Sequence, residues 1–183
     1  MKKNSLSALT AFLALSAAPT ALAEDLEVER VSVGMTNCAV RCNTLSKSAG
    51  PNAEWEVVLE SPDLLNGIGS PSPYLVASIN TAGETSFAGG GLQWRRDLTD
   101  DWALEASFGY VLHSGYIEDA TREHVSLGSR DLFHISLGVV RDLPGPWEAT
   151  LLVEHLSHGQ IIGRGRNQGL DQIGLRLGYR LNE

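Results

Sequence analysis

Basic residues are few in this chain. Fourteen Lys and Arg stand against 22 Asp and Glu, for a formal charge of −8. So acidic a protein has little with which to neutralise phosphates, which argues against nucleic acid as a partner. Long apolar runs are equally scarce. Beyond residues 6–18 none is uninterrupted, and mean hydropathy is only −0.07. That excludes a helical membrane protein and leaves a soluble protein or a β-barrel. There are only two cysteines, Cys38 and Cys42. No further ligands lie near them at a spacing that suits zinc. A short disulfide loop fits an oxidising compartment, and two free thiols remain the other reading. Helical periodicity is also hard to find.

What the sequence does contain begins with a leader. Lys2 and Lys3 precede the apolar stretch Leu6 to Ala18, and Ala21-Leu22-Ala23 supplies the small residues of a cleavage site. The stretch is too short to span a bilayer as a helix, which needs about 20 residues. The order predicts a secretory signal peptide over 1–23 and a mature β-barrel domain over 24–183.

Period-two alternation then recurs. Trp102, Leu104, Ala106, Phe108, Tyr110 and Leu112 fall on one face, with Ala103, Glu105, Ser107, Gly109 and Val111 on the other. Such a stretch has the length of a membrane-crossing strand, about 9–11 residues. Trp147, Ala149, Leu151 and Val153 oppose Glu148, Thr150, Leu152 and Glu154. Ile173, Leu175, Leu177, Tyr179 and Leu181 oppose Gln172, Gly174, Arg176, Gly178 and Arg180. A dry core would reject that last face, whereas the polar lumen of a small barrel accepts it. The pattern predicts an internal network in which Glu105, Glu148 and Glu154 pair with Arg176 and Arg180.

The strands expected are 27–36, 53–60, 73–80, 85–95, 101–112, 129–141, 146–157 and 170–181. They make an all-β, eight-stranded antiparallel outer-membrane barrel. Three of the connections on one side are long (37–52, 113–128, 158–169), and two on the other are short (96–100, 142–145), as such barrels require. The 61–72 connection is longer than that rule expects. Trp94, Trp102, Trp147 and Tyr179 gather near the periplasmic strand ends, where an aromatic girdle belongs.

Chemistry concentrates in the last hairpin. His155 and Ser157, two apart on a strand, share a face and continue the lipid-facing stripe of Trp147 to Val153. On the returning strand Asp171 continues the lipid-facing stripe of Ile173 to Tyr179. A histidine between a hydroxyl and a carboxylate is the arrangement that activates serine. His155 and His158, three apart, fall on opposite faces, and His113, His124 and His134 show no ligand spacing, so a metal centre is not expected.

The segment from His155 to Asp171 resembles the signature of the lipid A 3-O-deacylase (PagL-type) family. That signature is His-x-Ser, a Gly-containing loop, then Asn-x-Gly-[Ile/Leu]-[Glu/Asp], here His155, Ser157, Gly159, Asn167, Gly169, Leu170 and Asp171. Similarity also runs through Pro73-Tyr74-Leu75, Ser107-Phe108-Gly109 and Leu127-Gly128-Ser129-Arg130, and so covers the chain from Pro73 onward. The resemblance implies an outer-membrane esterase without a cofactor, acting on the lipid A of lipopolysaccharide, with Ser157 as nucleophile, His155 as base and Asp171 as its orienting acid. His158 stands where family members commonly have Asn. That leaves the oxyanion to backbone N–H groups of His158 and Gly159, with Asn167. The loop carries an extra Gly163-Arg164-Gly165-Arg166, in which Arg164 and Arg166 are candidates to grip phosphate or are ordinary loop charges. Monomer and homodimer both stay open. So do two rivals, a non-enzymatic small outer-membrane barrel and a soluble periplasmic β-protein.

Overall fold

In the computed structural model the alternation of the sequence becomes the two sides of a wall. The structure describes residues 27–38, 50–118, 125–163 and 165–182. The expected leader, Cys42, His124 and Arg164 lie outside them. The strands are β1 (Val28–Cys38), β2 (Asn52–Leu59), β3 (Ser72–Asn80), β4 (Phe87–Thr99), β5 (Trp102–His113), β6 (Asp131–Asp142), β7 (Trp147–Ser157) and β8 (Leu170–Arg180). Each pairs antiparallel with its neighbours in chain order, and β1 closes on β8 through pairs from Arg30 with Arg180 to Cys38 with Gln172. Closure leaves no strand edge unpaired, the condition for a sheet that stands in lipid.

Sidedness follows the sequence. Along β5, Leu104, Phe108, Tyr110 and Leu112 are exposed on the outer wall while Ala103, Glu105, Ser107 and Val111 are buried inside. The same split holds on β8 between Ile173, Leu175 and Leu177 outside and Gln172 and Arg176 inside. At the rim holding the chain ends, Trp147 meets Tyr179 edge-on at 4.9 Å and Arg141 covers Trp102, a girdle of the kind expected there.

The lumen differs from expectation in two respects. The internal network exists, but its partners are largely others. Arg30 reaches Glu105 and Glu148 at 2.5 Å each and Gln93 at 2.6 Å, and Arg95 holds Glu148 at 2.9 Å. Arg176 grips Glu54 at 2.7 Å and Glu56 at 2.5 Å, with Glu154 further off at 3.8 Å. Arg180 pairs with Asp142. In a barrel the inward side chains of all strands converge, so β1 and β2 contribute partners that the pattern of β5, β7 and β8 could not reveal. The lumen is also not polar throughout. Phe87, Val111, Leu127, Leu132, Leu156 and Leu170 form a buried apolar cluster. Most of them sit on strand residues near the end opposite the girdle.

That plug lies behind the last hairpin's outer face. Leu156 is fully buried between outward-facing His155 and Ser157, and Leu170 is buried beside Asp171. Packing of these leucines fixes the strands that carry the polar residues. The long 61–72 connection also gains an account: it contains a 3₁₀ helix, Asp63–Ile68. Cys38 is disulfide-bonded and packs against the apolar cluster.

Candidate functional site

Strand register brings three of the residues singled out in the sequence into line. His155 pairs with Asp171 across β7 and β8, and Ser157 lies two residues further along β7 on the same face. Asp171 Oδ1 stands 2.6 Å from His155 Nδ1, and His155 Nε2 stands 2.9 Å from Ser157 Oγ. A carboxylate can only accept, so Nδ1 carries the ring proton and donates it to Asp171. Nε2 is then the free lone pair and accepts from the Ser157 hydroxyl. Nearly half of each of the His155 and Asp171 side chains is exposed on the outer wall. Both lie within three residues of a strand end. Near the interface a charged group on the lipid side of a barrel costs only about 0–1 kcal/mol, against about 2–4 for Arg or Lys at the midplane.

Beside the imidazole runs a groove of about 340 Å³ along the outer wall, lined by residues 135–137, 153–155, 171 and 172. Its apolar contributors are Ile135, Leu137 and Val153. On the other flank of Ser157 stands an aromatic cluster that sequence reasoning did not single out. Phe133 pairs in register with Ser157, stacks on Phe108 at 5.6 Å and meets Tyr110 edge-on at 6.2 Å. Tyr110 donates its hydroxyl hydrogen to Asp131. Phe108 and Tyr110 were legible as lipid-facing residues, but their neighbourhood to Ser157 depends on the β5–β6–β7 register.

The loop after Ser157 is held by its own contacts. His158 points the other way from His155 and is fully buried, its Nδ1 accepting the Gln160 N–H at 3.0 Å. Its ring packs where Gly163 and Gly128 lack side chains: a Cβ on either would approach the imidazole to 2.8 or 2.6 Å. Gln168 clasps Ser126 twice, accepting its N–H on Oε1 at 2.8 Å and donating its own N–H to the Ser126 carbonyl at 3.2 Å. Neither residue carried a signal in the sequence. Gly159 has φ +59, and no hydrogen bond joins its N–H to another described residue. Asn167 is half-buried, with its side-chain oxygen enclosed and unpartnered among the described residues. Arg166 is exposed.

Gly169 has a stricter role. Its φ is +67, a region that side chains rarely adopt, and an added Cβ would come within 3.0 Å of His155 Cε1. Gly169→Ala is therefore expected to tilt the imidazole and slow any reaction that needs His155 aligned with Ser157 about 10- to 100-fold, the size of effect a small misplacement produces. The barrel should still form. Hydrolysis measured in micelles beside gel mobility checks this, and a wild-type rate would remove the contact from consideration.

The other histidines serve elsewhere. His134 lies in the lumen with Nδ1 2.8 Å from the Tyr74 hydroxyl and Nε2 3.0 Å from Glu154, and His113 Nε2 contacts the Ser129 carbonyl at 2.6 Å.

Comparison with solved structures gives the same architecture. The outer-membrane enzyme PagL superposes with a TM-score of 0.58 at 14% identity, over 85% of this chain and all of that one. The N-terminal barrel domain of OprF from Pseudomonas aeruginosa gives 0.53 at 8% identity, over 85% of this chain and all of the other. No curated protein matches the sequence. The model of the family described as lipid A 3-O-deacylase (PagL) matches residues 54–180, and so the chain belongs to that family.

Proposed function

We propose that this outer-membrane protein is a serine esterase that removes an ester-linked acyl chain from lipid A by 3-O-deacylation. The observation that carries the reading is the Asp171–His155–Ser157 hydrogen-bonded series on the lipid-facing wall. His155 Nε2 takes the Ser157 proton as Oγ attacks the ester carbonyl, and Asp171 steadies the imidazolium that results. The ester C–O bond then breaks, and the imidazolium gives its proton to the departing lipid A 3-hydroxyl. Water activated by His155 hydrolyses the acyl-Ser157 to free fatty acid and restores the serine hydroxyl. Oxyanion donors come from the loop: the N–H groups of Gly159 and His158 and the amide of Asn167. Each such donor contributes about 2.7–4 kcal/mol in comparable sites.

Substrate recognition divides between two parts. The acyl chain lies along the groove of Ile135, Leu137 and Val153. It leaves one hydrocarbon surface for another, so the groove supplies alignment and little hydrophobic driving force. Affinity must then come from the headgroup, where Arg164 and Arg166 would face the lipid A phosphates. The double variant Arg164→Ala/Arg166→Ala is expected to lose more rate on phosphorylated lipid A than on a neutral short-chain ester. Equal losses would return both residues to ordinary surface charges.

A non-enzymatic barrel would have no use for an ordered Ser-His-Asp series facing lipid, where polar groups tend to be functional. The deciding experiment is mass spectrometry of lipid A from cells expressing the wild type or Ser157→Ala. Loss of one ester-linked acyl chain should accompany the wild type only. Identical lipid A from both would end the esterase proposal.

A further inference from the structure

At the end of the barrel away from the candidate site, residues 68 and 69 of the connection between β2 and β3 lie against the outer wall. Gln93 and Arg95 point inward, to Arg30 and to Glu148, so Trp94 between them faces outside. Its indole Nε1 donates to the Ile68 carbonyl at 3.0 Å. Gly69 packs against the same ring, with an added Cβ 3.6 Å from it. The connection is thus tied to a residue of the lipid-facing surface.

The tied segment has two sides. Along its 3₁₀ helix Asp63 and Asn66 share one edge, where Asn66 donates to Asp63 at 3.4 Å and accepts from the Ser70 hydroxyl at 2.9 Å. The remaining edges carry Leu64, Leu65 and Ile68. Leu64 is 85% exposed and Ile68 56%, and no residue of the helix is buried. The backbone is nonetheless closed off. Gly69 and Ser70 take positive φ of 91° and 49°, and their N–H groups return to the Asn66 and Leu65 carbonyls at 3.3 and 3.1 Å. A locked turn that displays leucine and isoleucine is not built to face water alone.

We infer that this turn is an interfacial foot, its Leu64, Leu65 and Ile68 edge seated in the headgroup and upper acyl layer of the periplasmic phospholipid leaflet. The occupant follows from continuity. The apolar edge extends the lipid-facing wall through Trp94, at the same end as the Trp102, Trp147 and Tyr179 girdle, and tryptophan marks that boundary. The polar edge of Asp63, Asn66 and Ser70 faces the periplasm.

The test places one small environment-sensitive fluorophore at Leu64→Cys, Ile68→Cys or Asn66→Cys. Labelling is done without reductant, and the full barrel is reconstituted in nanodiscs of phosphatidylcholine and phosphatidylethanolamine. Gel mobility checks folding first; all three sites are exposed. Spin-labelled lipid should quench positions 64 and 68 severalfold more than aqueous iodide does, and position 66 should show the reverse. Equal iodide quenching at all three sites overturns the proposal, as does equal quenching by lipid. Protection of 64 and 68 from both quenchers would mean that protein, such as a second copy of this chain, covers the edge, and it too overturns the lipid assignment.

Discussion

Ser157→Ala and His155→Ala are each expected to lower lipid A deacylation by about 10³-fold or more while leaving the barrel's heat-modifiable gel mobility intact, since residues that act as a unit fail together. Folding should survive because both side chains lie on the outer wall and the packing beneath them belongs to Leu156 and Leu170. Asp171→Asn should reduce the rate strongly yet less than either, because nucleophile and base remain while an amide no longer dictates which ring nitrogen holds the proton. Asp171→Glu should be tolerated best, as the family signature admits either acid. His158 lies off the face that carries His155 and Ser157, so His158→Ala should cost far less than His155→Ala and act through the loop it supports. Ester hydrolysis by these five variants in micelles decides the matter. If Ser157→Ala kept its rate while His158→Ala lost as much as His155→Ala, another nucleophile would have to be sought.

The largest effect on stability is expected inside the barrel. Arg176→Met should destabilise the fold by about 3–5 kcal/mol, the usual result of stranding buried charges by removing one partner. Arg176 is almost wholly enclosed and is the direct partner of Glu54 and Glu56. Without it Glu54 faces Glu56 and Glu154 across the lumen, and Glu56 keeps only Arg30, at 3.6 Å. The temperature at which the folded gel band is lost should fall. Adding Glu54→Gln and Glu56→Gln to the variant should restore part of the loss, because the stranded charges are then gone. An unchanged unfolding temperature in Arg176→Met would show that the lumen tolerates the excess charge by other means.

How far the sequence could be read depends on whether a property is local. Strand existence and sidedness are local, because a period of two is written into β5, β7 and β8, and observed bounds such as Trp147–Ser157 and Leu170–Arg180 nearly coincide with 146–157 and 170–181. The alignment of His155, Ser157 and Asp171 was legible for the same reason, since a single hairpin contains all three. Lumen pairing is not local. Arg30 finds Glu105 and Glu148, 75 and 118 residues away, and only closure of the barrel determines such distances. The loop contacts fall between these cases. Gln168 meets Ser126 and His158 meets Gly128 because two long connections fold against each other, and no periodicity records that. The 61–72 connection looked merely too long, because its meaning lies in a contact with the outer wall that depends on Trp94.

An opening on the outer wall makes the substrate's approach lateral. If the proposed reaction is right, a lipid reaches Ser157 by diffusing sideways within its own leaflet and never has to leave the hydrocarbon. Encounter is then a two-dimensional search, and the relevant concentration is the number of substrate molecules per unit membrane area, not per unit volume. The blocked lumen plays no part in delivery. The barrel acts as a post fixed in a moving film, meeting only those lipids whose ester bonds travel at the depth of its imidazole.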